Sequence, residues 1–307
     1  MKVEKVLCPT DFSSSAGQAL ELAVLVARSF GAELHVLHGI VLHTADPHSP
    51  TYHLPNLEEI EATLERTAAS ALARDIAPHA DGVLRIIEVQ RRAPFAGEAI
   101  LEYAEEIGAD LIVMGTHGRR GLSHLLLGSV ANEVVRRAPC PVMTVRPRPE
   151  GAHLRAIERI LVPVDFSGAT NAALVAARDL AVAWTATLDV LHVIEETVMP
   201  AFYAAGVTSL LQLDPGIRSR CQTELKRRVE QLGGPSVGVT AHVREGKAAQ
   251  HIVAFAEEHG SDLIVLATAG RTGVERLLLG SVAEKVVRLA PCPVLVVPAR
   301  EAEAAGG

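Results

Sequence analysis

Short runs of valine, isoleucine and leucine alternate with longer amphipathic stretches along the chain. Apolar runs of about 4–8 residues are typical of buried strands, whereas apolar residues spaced by three and four favour helices. In the first half this pattern predicts strands near 5–9, 33–40, 84–89, 110–115 and 142–146. It predicts helices near 14–30, 57–78, 96–108 and 129–138, and a turn-rich loop at 41–56.

The second half of the chain repeats the first half. "KVLCPTDFS" at 5–13 matches "RILVPVDFS" at 159–167, and "GADLIVMGTHG" at 108–118 matches "GSDLIVLATAG" at 260–270. The register between the matched segments is nearly constant, which indicates duplication of one domain. The second half therefore predicts strands near 160–164, 187–194, 237–243, 262–267 and 294–298.

Strands that alternate with helices require right-handed crossovers and a parallel sheet covered on both faces. The predicted fold class is α/β, with two tandem five-stranded parallel-sheet, Rossmann-like α/β/α sandwich domains. We predict the first domain at 1–148, a linker at 149–158, the second domain at 159–300 and a tail at 301–307.

Composition narrows the functional classes. The hydrophobic content is 49%, yet no apolar stretch approaches the about 18–20 residues of a membrane span, so no membrane partner is expected. The net charge of −7 argues against general nucleic-acid binding, which usually needs a basic face. Four cysteines without a CxxC pair and the lack of a secretory signal favour a cytoplasmic protein. Cys140 and Cys292 share the context "APCPV" and are interpreted as small apolar residues that open strands.

A glycine-rich loop follows the fourth predicted strand of each half. In "GTHGRRGLSHLLLGS" at 115–129, the glycines allow backbone amides to turn toward an anion, and Ser129 opens a helix whose positive end favours negative charge. Arg119, Arg120 and Arg271 either neutralise phosphate or are ordinary solvated loop residues. Alternatively, the serine caps the helix: "SVAE" at 281–284 matches a capping-box pattern, which needs no ligand.

Asp11 follows the first strand, and in an open parallel sheet ligands bind beyond the carboxyl ends of the strands where strand order reverses. If the first and fourth strands are neighbours, Asp11 and the glycine loop meet there. Alternatively, Asp11 and Asp165 begin the following helices with Ser13 and Ser167. Neither GxxxxGK[ST] nor GxGxxG after a first strand is present, so a P-loop NTPase and a dinucleotide-binding domain are not supported.

The spacing G-x2-G-x9-G-[ST], formed by Gly115, Gly118, Gly128 and Ser129, resembles the ATP-binding signature of the universal stress protein family, as does "PTDFS". The resemblance covers essentially the whole chain as two tandem domains. It implies strand order 3-2-1-4-5 with adenine nucleotide, ATP or AMP/ADP, at the switch point, and Mg²⁺ as a companion of ATP.

The resemblance also implies roles by position. Asp11 would hydrogen-bond the nucleoside, Pro9 and Gly39 would line the adenine slot, and Gly115 would approach the ribose. Gly118, Gly128, Ser129 and Val130 would contact the phosphates. The matching positions in the second half are Pro163, Asp165, Val193, Ala267, Gly270, Gly280, Ser281 and Val282.

Each half departs from the signature at one position. Ala267 replaces the first motif glycine, and its methyl group either crowds the ribose or is harmless. Gly39 replaces an apolar adenine-packing residue that the second half keeps as Val193.

Histidines offer weaker signals. His43, His48 and His53 have a spacing of five that matches no tight metal-ligand motif, so no metal site is predicted. His38 and His192 end apolar strands and are interpreted as satisfied core histidines. His117 lies inside the first glycine loop, where a phosphate contact is one hypothesis, although Ala269 replaces it in the second half.

The leading hypothesis is a cytoplasmic adenine-nucleotide-binding stress-response protein that acts as a nucleotide-responsive regulator, chaperone-like protein or adaptor. The sequence contains no matched set of a nucleophile, a base and a group that orients the base, so no catalytic residue is assigned. The alternatives are a scaffold or small-ligand carrier on the same fold, and a slow ATPase or phosphotransferase. The apolar last strands, "VMTVRP" and "VLVVP", would be edge strands, which are prone to aggregate unless they are paired. We therefore predict that they pair with each other and make the two halves an intramolecular pseudo-dimer. Whether two chains also form a homodimer is left open by the sequence.

Overall fold

The computed structural model describes residues 1–41, 57–118, 127–147, 156–195, 214–268 and 279–298. The chain divides into two compact units, Lys2–Leu154 and Arg155–Gly307, which we call the N-terminal unit and the C-terminal unit. The division lies inside the predicted linker, while the exact domain boundaries stay predictions.

The N-terminal unit alternates strands and helices. Its strands are β1 (Lys5–Pro9), β2 (Glu33–Val41), β3 (Ile86–Ala93), β4 (Leu111–Gly115) and β5 (Val142–Val145). Its helices are α1 (Ser14–Phe30), α2 (Leu57–Ile76), α3 (Ala96–Ile107) and α4 (Ser129–Arg137), with a 3₁₀ turn at Ala77–His79.

The C-terminal unit repeats this order. Its strands are β6 (Arg159–Pro163), β7 (Thr187–Ile194), β8 (Val239–Glu245), β9 (Leu263–Ala267) and β10 (Val294–Val297). Its helices are α5 (Ala169–Trp184), α6 (Ile217–Gln231), α7 (Ala248–His259) and α8 (Ser281–Leu289).

Both units contain a parallel sheet with the predicted strand order. In the N-terminal unit the order is β3-β2-β1-β4-β5, and in the C-terminal unit it is β8-β7-β6-β9-β10. The order reverses between β1 and β4, and between β6 and β9, so the carboxyl ends of these strands form the switch point of each unit. The α/β fold class predicted from the periodicity is confirmed.

Helices on the sheet faces explain the high apolar content. Strands β4 and β9 are buried along nearly their whole length, as expected when helices cover both faces. Helix α1 contributes a stripe of buried alanine and leucine, including Ala19, Leu22 and Ala23, that packs against β4 and β1. Small side chains let helix and sheet approach closely, which agrees with the aromatic content of 3%.

Most predicted elements lie within one or two residues of their observed bounds. The largest shifts are in β3 and β8, which begin two residues later than predicted and continue to Ala93 and Glu245. The loop predicted at 41–56 falls almost entirely outside the described residues, as do the linker residues 149–155 and the tail. Cys8 and Cys140 are buried, and burial raises the pKa of the Cys8 thiol to about 12.

Among the described residues, no helix combines the length and the hydropathy that a membrane crossing requires.

Candidate functional site

A cavity of about 620 Å³ opens at the switch point of the N-terminal unit. Its floor is formed by the ends of β1, β2 and β4, and its sides by the start of α1, α3 and α4. All the residues that the sequence predicted for the first site line it: Pro9, Asp11, Gly39, Gly115, Gly118, Gly128, Ser129 and Val130. The sequence therefore located this cavity, although the residues' roles toward a ligand stay proposals.

A tight turn after β1 presents Asp11 to the cavity. The Asp11 Oδ1 atom accepts a hydrogen bond from the Ser13 backbone amide at 3.1 Å. Ser13 in turn caps α1, since its hydroxyl accepts a bond from the Ala16 amide at 3.2 Å. Asp11 thus shapes the helix start and lines the cavity, so the structural and the ligand-facing interpretations are compatible.

A side chain added at Gly118 or Gly128 would meet a close neighbour: the Asp11 carboxylate at Gly118 and the backbone of Thr116 at Gly128. A methyl group on Gly118 would lie 2.6 Å from the Asp11 Oδ2 atom. One on Gly128 would lie 2.9 Å from the Thr116 carbonyl oxygen, which already accepts a hydrogen bond from the Gly128 amide at 2.9 Å. The strand end and the start of α4 therefore approach one another with no room for a side chain at Gly128, and the Asp11 carboxylate lies close to Gly118.

The capping box, which "SVAE" at 281–284 offered as an alternative role for the serine, is not formed. Gly128 and Gly280 occupy the N-cap positions of α4 and α8, and neither helix has a side-chain capping bond. Ser129 and Ser281 are the first helical residues and are exposed. Because the glycine amide is already bonded to the end of the preceding strand, the helix starts one residue earlier than a serine cap would require, and the serine hydroxyl stays at the cavity.

The C-terminal unit has a matching cavity of about 510 Å³. Predicted residues that line it are Pro163, Asp165, Val193, Ala267, Gly280, Ser281 and Val282. Gly270 lies outside the described residues, as do Ala269, Arg119, Arg120, Arg271, His43, His48 and His53. The cavity also includes Ile217 and Cys221 of α6, and burial raises the pKa of the Cys221 thiol, so this side chain lines the cavity as a neutral group.

Asp165 is held by more side chains than the sequence suggested. Its Oδ1 atom accepts bonds from the Ser167 amide at 2.9 Å and from the hydroxyls of Ser167 and Thr170 at 2.6 Å. In the N-terminal unit Ala16 stands in the place of Thr170, so a hydroxyl donor is absent from that position. Asp165 is therefore oriented by three hydrogen bonds from its own unit.

The profile of the Universal stress protein family matches residues 2–146 and 156–298, once in each unit. The chain belongs to the universal stress protein family.

Relatives in this family come from several microorganisms. Universal stress protein MJ0531 of Methanocaldococcus jannaschii is 36% identical over 141 residues, which cover 46% of this chain and 81% of that protein. Universal stress protein Rv2005c of Mycobacterium tuberculosis is 30% identical over 237 residues, 74% of each chain. The crystal structure of a universal stress protein from Archaeoglobus fulgidus has the same fold, with a TM-score of 0.71 at 22% identity over 97% of this chain and 100% of that one.

Ala267, which departs from the universal stress protein signature, lines the second cavity, and the matching glycine of the N-terminal unit indicates where its methyl group points. At the matching Gly115, a methyl group would point at Ser15 in the first turn of α1, 3.1 Å from its carbonyl carbon and in contact with its hydroxyl. In the C-terminal unit Ala169 stands in the place of Ser15. The N-terminal unit thus has the pair Ser15–Gly115 where the C-terminal unit has Ala169–Ala267. The space that the Ser15 hydroxyl fills in the N-terminal unit is available to the Ala267 methyl group in the C-terminal unit.

The other departure concerns the slot expected to hold the base. A methyl group on Gly39 would make ordinary contacts of 3.7 Å with Ala99 and 3.8 Å with Ala96, so there is room for a small side chain against α3. Val193 fills the matching position of the second cavity and is 8% exposed. The first slot is accordingly wider beside β2 than the second slot beside β7.

Two histidines beside the cavities are satisfied, as predicted. His38 Nδ1 lies 2.8 Å from the Thr10 carbonyl oxygen, and His192 Nδ1 lies 2.7 Å from the Val164 carbonyl oxygen. A carbonyl only accepts, so Nδ1 carries the proton in both rings. The rings contact Phe12 and Phe166 in a tilted arrangement, with centroids 4.4 and 4.2 Å apart, which supports the turns that carry Asp11 and Asp165.

His117 also lines the first cavity, where its Nδ1 atom lies 2.8 Å from the Thr116 hydroxyl and its Nε2 atom is buried without a hydrogen-bond partner in the described part of the chain. Sequence reasoning missed the lining residues on α3 and α6, among them Ala96, Ile100 and Ile217. A helix face turned toward the switch point is the signal that would have located Ala96 and Ile100.

Proposed function

We propose that this universal stress protein binds adenine nucleotide, ATP or AMP/ADP, in its switch-point cavities and acts in the cytoplasm as a nucleotide-responsive regulator or adaptor. One observation carries the proposal. The Asp11 carboxylate lies close enough to Gly118 to meet any side chain placed there, and both residues line the cavity with the exposed start of α4, so a hydroxyl-binding group and an anion-binding group face one cavity.

The chemistry of the lining fits a nucleotide. Carboxylate oxygens accept hydrogen bonds from ribose hydroxyls, and the apolar side chains of Leu37 and Ile100 suit a base. The amides at the start of α4, which have no partner within the helix, and the Ser129 hydroxyl suit phosphate oxygens, for which no lysine is needed. A methyl group at Gly118 would meet the Asp11 carboxylate, so the glycine lets the aspartate and the start of the loop lie close together at the cavity.

Mg²⁺ would enter with ATP rather than ahead of it. Within the described residues no group of three or more histidine, cysteine or acidic side chains could hold a metal ion. The phosphate oxygens of ATP would therefore have to supply part of the coordination, as they do at many magnesium sites. The fit of the described residues is to a nucleotide that brings its own cation.

Nucleotide that remains bound through purification tests the proposal. We expect protein prepared without added ligand to release adenine nucleotide on denaturation, identified by chromatography and mass analysis and counted per chain. Added ATP should raise the melting temperature, because a ligand that binds only the folded state stabilises it. A chain that carries no nucleotide and shows no thermal shift with ATP, ADP or AMP would instead favour a scaffold or carrier of another small ligand.

Cys221 offers a chemical measure of occupancy in the second cavity. Its thiol lines that cavity and is partly exposed, whereas Cys8 and Cys140 are buried. We expect saturating ATP to slow alkylation of Cys221 by about tenfold, because only the open cavity admits the reagent. Peptide mass analysis after timed labelling measures the rate, and a rate that ATP leaves unchanged would place the nucleotide away from Cys221.

Any hydrolysis is expected to be slow, because the site offers no lysine of a P-loop and no assigned base. Turnover above background that Asp11→Asn abolishes would establish an ATPase instead. Pairing of the last strands into a pseudo-dimer, and association of two chains, stay predictions from the sequence.

A further inference from the structure

The turn that carries Asp165 contains a residue in an unfavourable backbone conformation. Phe166 has φ of 63°, and Phe12 has φ of 64° in the matching turn of the N-terminal unit. Positive φ is uncommon for an aromatic side chain and persists only where surrounding contacts hold it. The contacts that hold these two turns therefore determine whether each aspartate stays directed at its cavity.

Helix α6 holds the turn of the C-terminal unit through Arg228. The Arg228 guanidinium donates to the Phe166 carbonyl at 2.6 Å and to the Ser167 carbonyl at 3.1 Å. It also lies over the Phe166 ring, 5.4 Å from its centroid, and donates to the Asn171 side chain at 3.2 Å. One side chain thus contacts both residues that follow Asp165.

Glu224 fixes Arg228 from the other side. The Arg228 Nε atom donates to Glu224 Oε1 at 3.1 Å, one helical turn earlier. Hydrogen bonds from Arg227 and Arg228 lower the pKa of Glu224 to about 2, so the carboxylate stays ionised at any pH near neutrality. Arg228 is 17% exposed, which limits competition from water for these bonds.

The N-terminal unit holds its turn in a different way. The Thr10 hydroxyl accepts a hydrogen bond from the Phe12 amide at 3.0 Å, within the turn itself. Val164 occupies the matching position and has no hydroxyl.

We propose that Arg228 is a positioning residue for the ligand cavity of the C-terminal unit, through which helix α6 sets the affinity of that cavity. The route is short: Arg228 holds the carbonyls of Phe166 and Ser167, and Ser167 donates its amide and hydroxyl to Asp165. The N-terminal cavity contains its own support in Thr10. This inference rests on the proposed nucleotide binding, and it adds that a partner which displaces α6 would weaken one site and leave the other unchanged.

Binding is tested in full-length protein whose N-terminal site carries Gly128→Ala, so that titration with ATP reports the C-terminal site. In this background Arg228→Met should weaken ATP binding by about tenfold, since the strained turn loses its main support and is correctly formed for a smaller fraction of the time. Adding Val164→Thr should restore most of the affinity, because it installs the hydroxyl that the N-terminal unit uses. Arg227→Met is the matched control: it removes bonds to the same Glu224 but touches neither carbonyl, and should leave the affinity unchanged.

Hydrogen exchange of the ligand-free protein separates this inference from the proposed function. Arg228→Met should speed exchange of the Ser167 amide by about tenfold, and Val164→Thr should slow it again, whatever ligand the cavity binds. If neither the parent protein nor any variant binds ATP, but the exchange rate of the Ser167 amide changes as described, the proposed nucleotide binding is wrong and the positioning role of Arg228 is supported. Unchanged exchange in Arg228→Met, or weakened ATP binding that Val164→Thr does not restore, would overturn the role of Arg228.

Discussion

Replacing Gly128 with alanine is expected to weaken nucleotide binding at the N-terminal cavity by about 100-fold while the affinity of the C-terminal cavity is unchanged. Gly128 has φ of −57° and ψ of 148°, which any residue can adopt, so the effect comes from space and not from backbone conformation. The new methyl group would lie 2.9 Å from the Thr116 carbonyl oxygen, a backbone atom at the end of the sheet. Either the strand end or the start of α4 must move, and both form the anion-binding side of the cavity.

We expect the affinity of this site for ATP to fall by about 100-fold, because displacement of a binding group by a fraction of an ångström to one ångström has effects of this size. The free energy of unfolding should fall by about 1–3 kcal/mol, as for other overpacked sites. Calorimetric titration should show that the bound nucleotide per chain is halved, and thermal unfolding in the absence of ligand gives the stability change.

Gly17→Ala is the matched control, since it is the same substitution on an exposed position of α1 with no atom near the added methyl group. It should leave nucleotide binding unchanged and raise stability by up to about 1 kcal/mol, because alanine is favoured over glycine within a helix. Full occupancy of both cavities in Gly128→Ala would show that the start of α4 does not bind the ligand.

The fold was predictable because its signals are local and occur twice. Alternation of apolar strands and amphipathic helices predicted the parallel sheet, and the repeat of Asp11 as Asp165 and of Gly128 as Gly280 limited the alternatives. The site was predictable to the extent that it lies on the strand ends. Strand order brings Asp11 to Gly118, and that order follows from the crossovers of a doubly wound sheet.

Features that depend on packing between distant segments were not predictable. The sequence "SVAE" indicates a capping box with the serine as the N-cap, but the Gly280 amide donates to the Thr268 carbonyl at the end of β9. Gly280 is therefore the N-cap, and the helix begins at Ser281 itself. Arg228 is an ordinary helical arginine in the sequence. Its contact with Phe166 depends on where α6 packs. The repeat does not indicate this contact, because the sequences of α2 and α6 differ too much.

The exchange of Ser15–Gly115 for Ala169–Ala267 is the clearest such case, and it predicts coupled effects. Gly115→Ala should lower the free energy of unfolding by about 1–3 kcal/mol, since the methyl group meets the buried Ser15 and no cavity is available to it. Ser15→Ala alone removes a weak hydrogen bond to the Val145 carbonyl, at 3.4 Å, and should cost about 1 kcal/mol or less. The double variant recreates the pair found in the C-terminal unit and should be more stable than Gly115→Ala, with a coupling energy of about 1 kcal/mol or more in a double-mutant cycle.

Ala267→Gly decides whether the alanine in the signature matters for binding. If the methyl group crowded the ribose, its removal would tighten ATP binding at the C-terminal site. At the matching position the methyl group would point toward helix α1, so by correspondence Ala267 faces α5, and we expect no gain in affinity. Stability should fall by about 1 kcal/mol, because glycine weakens a strand and leaves a small void against the helix. Titration in the Gly128→Ala background isolates this site, and tenfold tighter binding of ATP by Ala267→Gly would show that the methyl group faces the ligand after all.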